Sequence, residues 1–355
     1  MVKVERLWDG CEMDLSSSAY HKTEGFLGFL AQKSKGNSGF RRAHLLKPPK
    51  IWYFAVMALP FSKQTLGLII AVFSTLAFAC YAPGARGAYA DGANAVFIIL
   101  FTTFFRALGF LVFCLINKRR IFANKTDTKI GFINGFFQAA SITCIFSSLA
   151  FIPAPLMTII LFTHTLMLLL VLFAKKEMAP DMLTISTTLS ALLGLTLVLG
   201  IWDLHLEYSL LGCLLAFGGA LATMIRLYAI GQEAKTRDPA IIGAETFLVA
   251  FLFVSALVFF KSPVMPATEA GWTWAAFAAL GSMLGTFGMF YGIALIGAFQ
   301  WSLFSKTEPI FVAIIAATFL HEILTLWQYL GMALVIASLV LYQMKDILLK
   351  KIEEK

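Results

Sequence analysis

The chain reads as an all-α polytopic membrane protein, with ten transmembrane helices arranged as two inverted five-helix repeats. Three observations predict this class. Apolar residues make up 59% of the 355 positions and charged residues only 14%, where soluble domains hold roughly 45–50% apolar residues and about 25% charged. From residue 66 onward the apolar residues gather into ten runs, most of about 17–24 residues, enough to cross a hydrocarbon core of about 30 Å at 1.5 Å per residue. Finally, two stretches repeat one another 145 positions apart: PAPLMTIILFTHTLMLLLVLFAKKE from Pro153 and AFQWSLFSKTEPIFVAIIAATFLHE from Ala298. Each starts in a Pro-, Ala- or Gly-containing turn, runs apolar and stops at a cluster ending in Glu. Internal duplication in an apolar chain is the pattern of secondary transporters.

The expected spans are 66–84, 94–116, 130–149, 153–174, 183–201, 209–230, 240–260, 272–295, 299–320 and 326–345. Their continuous apolarity predicts helices, because barrel strands would alternate with period two. Residues 66–201 form the first repeat and 209–345 the second. Residues 1–60 are polar, carry Lys33, Lys35, Arg41 and Arg42, and read as a disordered cytoplasmic tail. Residues 346–355 form a charged tail. The first 20 residues lack a basic start followed by an apolar core, so no cleavable signal is expected.

The net charge of +8 is distributed as orientation signals rather than as a nucleic-acid surface. Lys118, Arg119, Arg120, Lys125 and Lys129 follow the second span. Lys175 and Lys176 follow the fourth, Lys235 and Arg237 the sixth, and Lys345, Lys350, Lys351 and Lys355 the tenth. All fall on one side, which the positive-inside rule makes cytoplasmic, with both termini there. The opposite loop after the fifth span offers Asp203, His205 and Glu207 instead. Five spans per repeat is an odd number, so the second repeat must be inverted.

The ninth span holds the least ordinary residues. Lys306, Glu308 and Pro309 interrupt an apolar run, and Glu308 lies nine residues past Phe299, roughly 14 Å deep. Charge at that depth is tolerated facing protein or a water-filled cavity. Lys306 and Glu308 are two apart and point in different directions. Pro309 has no N–H for the carbonyl of Ser305, which leaves an acceptor for water, a side chain or substrate, and predicts a kink. The repeat aligns Thr163 with Glu308 and His164 with Pro309, placing both pairs about one central cavity. His164 suits substrate contact or a proton relay. Arg106, mid-way along the second span, needs a carboxylate such as Glu308 or an anionic substrate group. Gln300 and Trp301 sit at the inner mouth of the ninth span, Trp301 placed to anchor at the interface. Arg226 reads as an interfacial residue able to snorkel. Gly281, Gly285, Gly288 and Gly292 form one face for close helix packing, and Gly131, Gly135 and Ala139 a similar stripe.

Cys11, Cys80, Cys114, Cys144 and Cys213 show no metal or redox spacing, no phosphate loop or HExxH occurs, and neither a metal nor a cofactor is expected. Short loops without motifs argue against a membrane-embedded enzyme, and mid-depth polar groups against a scaffold.

The ten spans, the duplicated halves and TEPIFVAIIAATFLHEILTLWQYLGMALVIASLVL from Thr307 to Leu341 resemble the drug/metabolite transporter superfamily, in particular its EamA-type ten-helix members. Glu308, Pro309, Glu322 and Gly331 occupy places typical of that family; Glu177 and Gly194 match in the first half, and Arg106 resembles the arginine usual in the second helix. Thr163–His164 departs from it, since many relatives have a Pro there, and the first helix lacks a frequent Trp-Gly pair. The resemblance spans residues 66–345. It implies a carrier of small organic solutes in the bacterial inner membrane, with export ahead of uptake of a nucleotide-like or cofactor-like metabolite. Proton coupling and a homodimer are compatible with it.

Overall fold

The computed structural model describes residues 62–200, 209–319 and 324–345; the expected tails, the loop with Asp203, His205 and Glu207, and Glu322 lie outside these residues. The described residues are helical, without strands. In chain order the helices are α1 (Lys63–Ala79), α2 (Tyr81–Ala90), α3 (Ala95–Ile116), α4 (Lys125–Ser148), α5 (Ala154–Phe162), α6 (His164–Ala174), α7 (Met182–Val198), α8 (Leu210–Glu233), α9 (Pro239–Ser255), α10 (Glu269–Ile296), α11 (Ala298–Phe304), α12 (Glu308–Phe319) and α13 (Leu326–Gln343).

These helices follow the expected apolar segments in order. Eight helices are long and apolar enough to cross a bilayer, counting α1–α2, α5–α6 and α9 with its 3-10 extension to Phe259 as continuous units. The 17-residue α7 is shorter, and the expected ninth span is broken into α11, a 3-10 turn and α12. The first span is longer than expected, from Lys63 to Ala90. It bends at Cys80, three residues before Pro83, which cannot donate to the carbonyl of Ala79. Phe73, Leu115, Leu170 and Leu252 lie among the outward, exposed apolar side chains, a surface that suits lipid and not water.

Helix starts are set by side chains that accept the first free N–H groups. Asn94 caps α3 through Phe97 N at 2.9 Å, Asn124 caps α4 through Asp127 N at 2.9 Å, and Asp181 caps α7 through Thr184 N at 2.6 Å. Thr325 and Gln328 form a reciprocal capping box on α13. Asp238 caps α9, with Pro239 at its first position, where no N–H is needed.

Packing follows one rule of exchange. α1 and α2 lie on α10 as α8 lies on α4; α9 lies on α4 as α3 lies on α10; α5 and α6 touch α8 as α11 and α12 touch α1. The pairs α3–α9 and α7–α13 join corresponding members of the two halves. Small residues permit this closeness. Gly281 faces the Ala77 carbonyl, Gly285 the Phe78 ring and Gly288 the Ser74 side chain, all on α1, while Gly292 faces Trp301. The Ser74 hydroxyl donates to the Gly285 carbonyl at 2.6 Å. Gly135 of the second stripe meets Val249 of α9. A single residue, Gly297, separates α10 from α11, with φ 84° and ψ 159°, a region open essentially to glycine alone.

Candidate functional site

The fourth and ninth expected spans, like the first at Cys80, are discontinuous, and the break at Thr163 aligns with Glu308, just after the Ser305–Thr307 turn. In the fourth, the Thr163 hydroxyl donates to the Ile160 carbonyl at 2.6 Å, and His164 Nδ1 meets the Leu161 carbonyl at 2.7 Å. Side chains therefore occupy carbonyls of the last turn of α5, and α6 begins afresh at His164. In the ninth, Ser305–Thr307 form a 3-10 turn before Pro309. The Ser305 carbonyl is not left free as the sequence suggests: the Glu308 N–H donates to it, since a 3-10 bond reaches one residue less far than Pro309. Ser302, Ser305 and Thr307 each bond a carbonyl three residues back, at 2.8, 2.7 and 2.9 Å. The kink at Pro309 is thus a tightened turn lined by hydroxyls.

The breaks meet. Lys306 is fully buried; its ammonium donates to the Thr165 hydroxyl at 2.6 Å and to the Ser302 carbonyl at 3.4 Å, and lies 5.6 Å from the centre of the Phe162 ring. Thr165 in turn donates to the Ser302 carbonyl at 3.3 Å. His164 is buried, within electrostatic range of Lys306 and Arg226. With Nδ1 donating to a carbonyl, its Nε2 has no partner among the described residues. Arg226 is within range of Arg106, and Arg106 of Glu308. Arg106 lies 5.6 Å over the Phe247 ring of α9, and its Nε is buried without a partner. It does not form an ion pair with Glu308, which stands half-buried as the first residue of α12. Thr307 is tied to Thr75 of α1 at 2.9 Å.

Gln300 lies apart from these charges. It lines a groove of about 210 Å³ among Leu168, Tyr228, Gly231, Ile296 and Phe299, at the end of the bundle that carries Lys175, Lys176 and Lys235. Lys306 is six residues along, about 9 Å at 1.5 Å per residue. A wider recess of about 720 Å³, bounded by Phe122, Lys125, Lys129 and Phe132, touches none of the buried charges. Among the described residues no group of three His, Cys, Asp or Glu side chains is placed to hold a metal.

Two residues sit differently from their expected places. Arg226 does not snorkel: it is only 7% exposed, its Nη1 reaching the Met289 sulfur at 4.0 Å. Its helical neighbours Gly219, Ala222 and Thr223 form a small-residue stripe on the same face, the signal that it points inward. Trp301 is buried against Gly292 rather than anchored at an interface.

A second set of charges is fully paired. Arg237 reaches Glu233, Glu245 at 2.7 Å and Asp127 at 3.5 Å; Asn134 donates to Glu233 at 2.5 Å, and the Phe122 N–H to Glu245 at 2.7 Å. Arg119 pairs with Asp238 beside it. These groups join α4, α8 and α9 at the basic end.

Glu177 closes the same end. Lys176 takes φ 57°, a left-handed helix terminus in which the Glu177 N–H bonds the Leu172 carbonyl at 2.9 Å. Tyr228 and Gln232 of α8 each donate to its carboxylate at 2.6 Å, with Lys235 at 3.6 Å. The hydrogen bonds from Tyr228 and Gln232 hold the Glu177 carboxyl below its usual 4.5. A depressed carboxyl contributes stability that is complete above its unfolded value and is lost as pH falls through the folded value. Glu177→Gln is therefore expected to melt below wild type at neutral pH. The gap should close below pH 4.5, as followed by thermal unfolding in detergent; a gap constant with pH would contradict the clamp.

The model of the EamA-like transporter family matches residues 210–344. No curated protein matches the chain. A solved structure, described only as the crystal structure of a protein, superposes with a TM-score of 0.67 at 15% identity, covering 80% of this chain and 99% of its own. At that identity the likeness shows a shared fold.

Proposed function

We propose that this chain, whose residues 210–344 carry the EamA-like transporter family match, is a secondary transporter of a small organic solute, working by alternating access. Its ten segments are ten spans, in two inverted repeats about an axis in the membrane plane. The observation that carries this reading is the meeting of two discontinuous segments at Thr163 and Ser305–Thr307, with Lys306, His164 and Arg226 buried and Arg106 and Glu308 half-buried around them. Broken backbone and charge at mid-depth are costly in a bilayer and persist where they line a solute path.

The groove at Gln300 is the entry. By the positive-inside rule its basic end faces the cytoplasm of a bacterial inner membrane, with both termini there. A solute entering from that side is exported. Glu308 and His164 serve contact or proton coupling.

The test is metabolite profiling inside and outside cells producing wild type, Glu308→Gln or empty vector. One compound should accumulate outside with wild type and not with the variant. Inward movement would reverse the direction, and no movement of any compound by correctly inserted protein would sink the transport reading.

A further inference from the structure

The buried charges at the helix breaks do not balance. Arg106, Arg226 and Lys306 supply three basic side chains, and among the described residues the carboxylate of Glu308 acts on Arg106 alone. Among the described residues none of the three lies in an ion pair, and Glu308, which feels Arg106, stands off from it. The same chain shows what direct pairing looks like, because half-buried Arg237 touches three carboxylates with one guanidinium. Buried charge is normally paired, and removing one partner leaves an uncompensated ion. The central cluster stands in that unbalanced condition.

Its donors are open as well. The Nε atoms of Arg106 and Arg226 are buried with no acceptor, and Arg226 otherwise meets only a methionine sulfur, a weak acceptor. Lys306 spends its ammonium on a hydroxyl and a carbonyl, neither of them charged. Both half-helices α6 and α12 start here, so their positive ends add to the field. Phe162 under Lys306 and Phe247 under Arg106 give flat apolar walls. Leu168, Tyr228 and Phe299 of the groove lie within about two turns of Thr165, Arg226 and Lys306 along their own segments, while the three cations do not line it.

We infer that the transported solute is an organic anion, and that Arg226 and Lys306 hold its carboxylate or phosphate group while Arg106 stays matched to Glu308. This rests on the transport reading above. Guanidinium and ammonium donors suit either oxyanion; the solute supplies the missing negative charge and leaves with it.

The test uses the purified full-length protein in detergent, with thermal shifts against succinate, glucose 6-phosphate, leucine and ethidium at matched ionic strength. Succinate or glucose 6-phosphate should raise the melting temperature, the one that does so telling carboxylate from phosphate, while leucine and ethidium should not. Arg226→Gln and Lys306→Gln should each weaken anion affinity roughly ten- to a hundredfold, the loss of one charge-assisted hydrogen bond. Without ligand, Arg226→Gln should melt no lower than wild type, because an unpaired buried charge has gone. Stabilisation by ethidium alone, no shift with either anion, undiminished anion affinity in both variants, or a ligand-free Arg226→Gln as unstable as a broken ion pair would each overturn the inference. Uptake into proteoliposomes separates the two readings. Anion binding without anion flux refutes transport and keeps the anion site; ethidium flux without anion flux keeps transport and refutes the anion.

Discussion

Gly331→Leu is expected to be the most damaging single change in the bundle. Gly331 of α13 and Gly194 of α7 face each other across the junction of the two halves. A Cβ at Gly331 would stand 2.6 Å from the Gly194 carbonyl and 2.7 Å from the Val198 nitrogen; one at Gly194 would stand 2.9 Å from the Gly331 carbonyl. These obstacles are backbone, so no rotamer relieves them, and the two helices must part. Overpacking costs about 1–3 kcal/mol where neighbours can shift and more where, as here, relief requires two backbones to part, and α7 has only 17 residues with which to hold its place. In membranes such close approach is itself a large part of what joins helices. The expected result is a markedly lower melting temperature and loss of the monodisperse peak on size exclusion. Gly218→Ala is the matched control: its new methyl would meet only the Cys144 sulfur at 3.8 Å, and it should be neutral or slightly stabilising. Equal losses from both substitutions would show that contact at Gly331 is not the cause.

Arg237→Gln ranks second. It strands Glu245, which is fully buried, and Glu233, which is 7% exposed, together with Asp127. Removing one side of a buried ion pair costs about 3–5 kcal/mol, most of it the desolvated charge left behind. Arg237→Lys should fall between, because a single ammonium cannot fork toward three carboxylates as a guanidinium can. The double variant Arg237→Gln/Glu245→Gln should recover part of the loss. If the double variant is less stable than Arg237→Gln alone, the stranded carboxylate does not explain the defect.

Local patterns carried much of this architecture. The order of the apolar segments and the glycine face of α10 are properties of contiguous sequence, and periodicity exposes them. The break in the ninth segment was legible in Pro309, whereas the one at Thr163, the position aligned with Glu308, was not, because no proline marks it. Facing was harder. Arg226 has the same depth whether it turns outward or inward, and only the small residues on its own helical face decide. Trp301 likewise depends on the gap that Gly292 leaves in a different helix. The Ser305 carbonyl was misjudged because removing one donor was counted without the neighbouring N–H that could take its place. The Arg237 network could not be read at all: its members come from α4, the end of α8, the turn after it and the interior of α9. No spacing within one segment announces such an assembly.

Gly297 sets a limit on how the molecule can move. Extended chain reaches at most about 3.6 Å per residue, so a tether of one residue gives α10 and α11 no slack. Gly297, with Ile296 before it and Ala298, Phe299 and Gln300 after it, is also part of the rim of the groove. A tilt of the ninth segment that reorients Lys306 must therefore carry the rim with it, and a widening rim must pull on Lys306. Mouth and cation behave as two ends of one short crank, with its axle at a glycine.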